Sequence, residues 1–182
     1  ETIPMQAAEA TLALRTGRAR AARRGLETML RSGGARGWLS AFAVLGTGSR
    51  DPELSAKVLG QLLDRGALPT EPMALAAAGQ LALGLGDDAL FGRIDEVARG
   101  LHPDDPAMGL LRVSHLHRTG RSAEAREMLD QLATGDALEG PRIRERVALA
   151  YAELGDPAAG AALFDDVSAD SADLGQLALR AS

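Results

Sequence analysis

The chain has 182 residues, 46% hydrophobic and 25% charged, with a net charge of −5 and no cysteine. This is enough chain for one ordinary core and too apolar for disorder, and the missing cysteine excludes disulfides and thiolate metal sites. No apolar run approaches the roughly 20 residues that span a bilayer, and the acidic balance argues against general nucleic-acid binding.

The apolar share is mostly Ala and Leu, with 3% aromatics. Ala and Leu favour helices, and the β-branched and aromatic residues that favour strands are scarce. The composition therefore points to an all-α protein with small residues at its helix contacts. Charge is unevenly placed. Residues 1–37 hold seven arginines and three glutamates, a balance of +4, which leaves −9 for the rest. The plainest account of that basic end is a solvated helix face, and the alternative is a local anionic partner.

In chain order, apolar periodicity predicts helices at 4–15, 18–31, 36–46, 52–65, 71–84, 88–100, 105–118, 122–133, 140–154, 157–167 and 171–181. Asp51-Pro52 and Asp156-Pro157 each place a capping carboxylate before a helix-compatible proline. The tetrapeptide RTGR occurs at Arg15–Arg18 and again at Arg118–Arg121, 103 residues apart. Each copy lies between two helical patterns, and similar junctions surround Gly86 and Gly155. A less regular junction falls at Arg50. The anchors 17, 50, 86, 120 and 155 are spaced by 33, 36, 34 and 35 residues. Each unit is thus two helices joined by a short turn, with Gly where φ > 0 is needed.

Residue types recur at fixed offsets from these anchors. Small residues stand seven before the turn at Ala10, Gly79 and Ala148, but Val113 departs. Five after it stand Ala22, Ser55, Ala125 and Gly160, with Phe91 departing. Nine after it stand Leu26, Leu59, Leu129 and Phe164, with Asp95 departing. Tyr151 is the one aromatic four before a turn, and Leu116 stands in for one. This pattern resembles the tetratricopeptide repeat, in a degenerate, Ala-rich form. The resemblance implies a right-handed α-solenoid of about five antiparallel helix-turn-helix repeats in a single domain over 1–182. The repeats fall at about 4–33, 36–66, 71–101, 105–135 and 140–168, with a capping or truncated helix at 171–181.

No catalytic constellation is present. His115 and His117 are two apart in a helical pattern and point away from each other, whereas helical metal sites use spacings of three or four. The acidic pairs Asp87-Asp88, Asp104-Asp105 and Asp165-Asp166 sit at helix starts or in turns, where carboxylates cap and favour the dipole. The glycines of Ser32–Gly37 follow no strand and lack a Gly-Lys-Ser/Thr ending, so they read as a flexible turn between repeats. No serine has a nucleophile-elbow setting.

The resemblance also implies that the first helix of each hairpin lines a concave binding face, with contacts ten, six, three and two residues before the turn glycine. Carried over, these positions hold Thr11 and Arg15; Gln80 and Leu83; Leu110, Ser114, His117 and Arg118; and Glu145, Leu149 and Glu153. Trp38 and Phe42, four apart on the irregular second repeat, are anchors or core. The function expected is a non-enzymatic scaffold or adaptor that binds a peptide segment or partner protein. It would use no metal, cofactor, nucleic acid or membrane insertion. Bacterial tetratricopeptide-like proteins of this kind serve envelope assembly, export or secretion, so a cytoplasmic or periplasmic setting is expected. The alternative is a sensor or regulatory domain of a larger protein holding a small effector, which a start at Glu1 and an incomplete sixth repeat would fit.

Overall fold

The computed structural model describes residues 3–32, 34–48, 52–64, 68–134 and 140–165. All regular structure among them is helical. The first six helices are α1 (Ile3–Arg15), α2 (Ala19–Ser32), α3 (Gly34–Ala43), α4 (Pro52–Asp64), α5 (Pro72–Gly84) and α6 (Asp88–Leu101). They are followed by α7 (Pro106–Arg118), α8 (Ser122–Thr134), α9 (Pro141–Glu153) and α10 (Pro157–Asp165). A π-helical turn, Val44–Gly48, extends α3. The expected anchor at Arg50 and the expected helix at 171–181 lie outside the described residues. No helix among them is long and apolar enough to cross a membrane.

Four turns close with one hydrogen-bond pattern. Gly17, Gly86, Gly120 and Gly155 have φ of 68, 72, 80 and 85°. Each glycine N–H donates to the carbonyl three residues back, at 3.0–3.1 Å (Gly17 to Leu14, Gly86 to Leu83, Gly120 to His117, Gly155 to Ala152). The next N–H reaches five back, from Arg18 to Ala13, Asp87 to Ala82, Arg121 to Leu116 and Asp156 to Tyr151. This is the Schellman motif, and it needs a left-handed residue at the glycine. The repeat is therefore written in the backbone as well as in the side chains.

The residue after each glycine comes in two kinds. In the LGD turns, Asp87 accepts from Leu90 N at 2.9 Å and Asp156 from Ala159 N at 3.0 Å, so one residue ends a helix and caps the next. In the RTGR turns the threonine works instead: Thr16 and Thr119 donate to the carbonyls of Leu12 and His115. Asp105 caps α7 through Met108 N at 2.8 Å, ahead of Pro106 at the first helical position. Asp105→Ala should cost about 1 kcal/mol, seen as a lower midpoint in chemical denaturation, because an orphan N–H loses its acceptor. An unchanged midpoint would show that the cap is not made in solution.

The chain forms two compact units that divide between Pro103 and Asp104. In the first, α1 and α2 form a hairpin through small residues. Ala10 and Ala22 are buried, and a Cβ on Gly25 would sit 3.2 Å from that of Ala10. α3 packs on α1, α2 and α5, and α4 on α6. The Ser32–Gly37 stretch, expected as a flexible turn, is largely helix. α2 runs to Ser32 and α3 starts at Gly34, whose φ is 49°. Gly37 lies so close to the Met29 carbonyl oxygen that a Cβ there would clash. α5 is apolar nearly all round, as a helix packed between neighbours must be. It buries Ala74, Leu75, Ala78, Gly79, Leu81, Ala82 and Leu83.

The departures from the repeat pattern are accommodated locally. Phe91 is buried at the position where a small residue was expected. Asp95, 3% exposed at an apolar position, is covered by Arg99 one turn later, whose Nε donates to Oδ2 at 2.9 Å. Ser55 fits the pattern but adds a bond: its hydroxyl donates to Leu45 O at 2.9 Å inside the π-helical turn, tying α4 to that segment.

In the second unit, α7–α8 and α9–α10 are hairpins, and α9 packs on both α7 and α8. Leu110, Val113, Leu116, Leu129, Val147 and Tyr151 form its core. A Cβ on Gly160 would stand 2.6 Å from the Ala148 carbonyl oxygen, so α10 meets α9 backbone to backbone there. Both residues are among the small positions expected from spacing.

Candidate functional site

In the expected repeats the first helices are α1, α3, α5, α7 and α9. Two positions on them behave alike wherever a turn glycine is described. Six before it stand Thr11, Gln80, Ser114 and Leu149, all exposed except the half-buried Thr11. Two before it stand Arg15, Gly84, Arg118 and Glu153, all exposed. These pairs are four apart, so each lies along one face of its helix. Gln80 is the one polar side chain in α5, and it lies on this face.

The other two positions split. Ten before the turn, Leu110 is buried and Glu145 is exposed; three before it, Leu83 is buried and His117 is exposed. Leucine at either place is taken into the core. His117 Nδ1 lies 3.1 Å from Ser122 Oγ, across the α7–α8 turn. Trp38 and Phe42 take different environments. Phe42 is 4% exposed and belongs to the core, while Trp38 is half-buried with its ring centroid 5.5 Å from that of Phe42. Spacing placed both on one side of α3; it could not say how deep each would lie. Arg15, Trp38, Phe42 and Gln80 belong to the first unit, and Ser114, His117, Arg118, Glu145 and Glu153 to the second.

The second unit carries a polar network that spacing did not single out. Tyr151 Oη donates to Asp130 Oδ1 at 2.7 Å, and Arg126 Nε donates to the same oxygen at 2.9 Å. Arg126 Nη1 reaches Asp156 Oδ2 at 2.8 Å, and its guanidinium lies 4.9 Å above the Tyr151 ring. Burial, then the Asp130 carboxylate, push the phenol up to about 12. The bond from Tyr151 holds Asp130 below the usual carboxylate range, and the Ala159 N–H together with Arg126 does the same for Asp156. The network joins α8, α9 and the cap of α10. Its sequence trace is the i,i+4 pair Arg126–Asp130, which by itself looks like any surface ion pair.

Nearby, Arg121 grips Glu124 at 2.7 Å on the surface of α8, and that bond lowers the Glu124 pKa and raises that of Arg121. Among the described residues no three acidic or histidine side chains are grouped to hold a metal ion. The exposed first-helix positions offer a cation and an amide in the first unit, and a cation, a hydroxyl and carboxylates in the second. That set suits reversible contacts to peptide groups and charged side chains. Comparison with family models, with curated proteins and with solved structures finds no match.

Proposed function

We propose that this chain is a non-catalytic scaffold of tetratricopeptide-like hairpins that holds a peptide segment or partner surface on the exposed faces of its first helices. The observation that carries the reading is the recurrence of exposure two residues before each described turn glycine and, Thr11 excepted, six before it. Hairpin cores use the remaining faces, so this stripe has no packing role within its own hairpin. Arg15 and Arg118 occupy equivalent places in the two RTGR turns. A guanidinium fork there can engage a carboxylate through two hydrogen bonds or a carbonyl through one. Trp38, half-buried against Phe42, has the form of an aromatic anchor, with its partner ring supporting it from the core.

The test is affinity capture with the full chain, followed by titration of the captured partner. Arg118→Ala and Trp38→Ala should each weaken binding by about 1–2 kcal/mol, the range of a working interface contact. Arg118→Ala should leave the fold intact. The arginine contribution should shrink as salt rises, since exposed charges are screened. Unchanged affinity in both variants would remove the first-helix faces from the interface.

A further inference from the structure

A second surface, on the first hairpin, has features of its own. α1 and α2 leave between them an open cleft of about 400 Å³, within the size range of ligand pockets. Its floor is low because small residues line it, among them Ala10, Ala21 and Gly25. Gln6 also lines it. That residue is 7% exposed, and its side-chain oxygen is buried with no hydrogen-bond partner among the described residues. A buried amide oxygen left unpaired is unfavourable until a donor reaches it.

The cleft is flanked by cations. Arg18 and Arg24 both line it and are exposed. Arg18 Nε is held by Thr16 Oγ1 at 2.9 Å, which fixes the guanidinium in place. Arg20, Arg24 and Arg31, spaced by four and seven, continue as an exposed row along α2. Helix stability accounts for Arg31, in the last turn of α2, but not for the cations at its start. Positive charge at a helix N-terminus opposes the dipole, and α2 has no acidic residue in its first turn. The other second helices carry Glu53, Asp88, Glu124 or the Asp156 cap at that end.

From this juxtaposition we propose that the α1–α2 cleft is a docking site for an acidic polypeptide segment of a partner, whose carboxylates meet Arg18 and Arg24 and whose backbone N–H draws out the Gln6 amide, buried until that side chain turns toward the cleft. The unpaired oxygen calls for a donor, which a peptide carries at every residue and a phosphate group lacks. No aromatic ring lines the cleft to stack a base, and Glu9 on its wall opposes a phosphate track. This surface goes beyond the first-helix faces proposed above.

The test uses the full chain and a short fluorescent peptide of alternating glutamate and leucine, read by anisotropy. A glutamine-for-glutamate peptide, phosphatidylserine vesicles and single-stranded DNA are the competing probes. The acidic peptide should bind best, and its affinity should fall at least about tenfold, or 1.4 kcal/mol, in the Arg18→Glu/Arg24→Glu double variant. Gln6→Ala should weaken it further without changing its salt dependence. Arg24→Gln, a milder change, serves if charge reversal unfolds the hairpin, and Arg118→Ala should leave this binding unaltered whatever it does to the other surface. The proposal is overturned if the acidic peptide does not bind, or if the double variant or Arg24→Gln binds it as tightly as the natural chain. It is equally overturned if vesicles or DNA bind more tightly, or if sedimentation shows these arginines serving self-association instead.

Discussion

Gly160→Ala should destabilise the second unit by about 1–3 kcal/mol, the range for overpacking, although it adds a single methyl group. In most helices the same change is favourable, because alanine has less backbone freedom to lose. Here the new Cβ would stand 2.6 Å from the Ala148 carbonyl oxygen. That neighbour is backbone inside α9, so it cannot rotate away as a side chain would. The two helices must part, and the buried contacts of Phe164 and Tyr151 part with them. Ala125→Leu should act similarly, since Ala125 is fully buried where α8 meets its core. Glu124→Leu, on the exposed face next to it, should cost far less, since it gives up only an exposed pair with Arg121 and a favourable place in the first turn of α8. Denaturant midpoints of the three variants check this, and equal effects at positions 124 and 125 would mean the helix register is wrong.

How these positions could be found from spacing, and others could not, follows from what each constraint leaves in a sequence. A left-handed turn residue must be glycine in practice, so Gly17, Gly86, Gly120 and Gly155 stood out as a period. A backbone-to-backbone crossing must be small, so Ala10, Ala22, Ala125, Ala148 and Gly160 could be placed by counting from those turns. The second repeat resisted counting. Its first helix starts early because Gly37 lets α3 press on the end of α2, and it finishes in a π-helical turn that breaks the 3.6-residue register. Depth was also hidden. Trp38 and Phe42 share a face by spacing, but which of them is core depends on the neighbouring helices. Spacing assigns a polar residue no depth, so neither the burial of Asp95 beneath Arg99 nor that of Gln6 leaves a mark in the pattern. The alternation of RTGR with LGD turns was visible all along. It acquires meaning once Asp87 and Asp156 are seen to cap the following helix.

Tyr151→Ala should be the most damaging change in the second unit, about 3–5 kcal/mol by analogy with other buried aromatics. The ring is 4% exposed in the core, and its hydroxyl holds Asp130 of α8, which Arg126 links to the cap of α10. Three elements loosen together when it is removed. Tyr151→Phe separates the packing from the hydroxyl and should cost far less, because Asp130 is half open to water and regains solvent in exchange. The phenol also reports itself. It is the one tyrosine in the chain, so phenolate absorbance during an alkaline titration belongs to Tyr151 alone. The midpoint should lie at about 12. A free tyrosine titrates near about 10. The raised value means that folding favours the neutral phenol. Its contribution to stability is therefore complete below about pH 10 and is lost as pH climbs through the raised midpoint. Asp130 and Asp156 are lowered, so their contribution is complete above the usual carboxylate value of about 4 and fades as pH falls through their lowered values. The second unit should thus lose stability at both ends of the pH scale. Asp130→Asn should bring the phenol midpoint down part of the way, leaving the share due to burial, and Tyr151→Phe should abolish the tyrosine-linked part of the alkaline loss. A midpoint near that of free tyrosine in the folded natural chain would show the ring to be solvated, and the α8–α9 packing described here to be wrong.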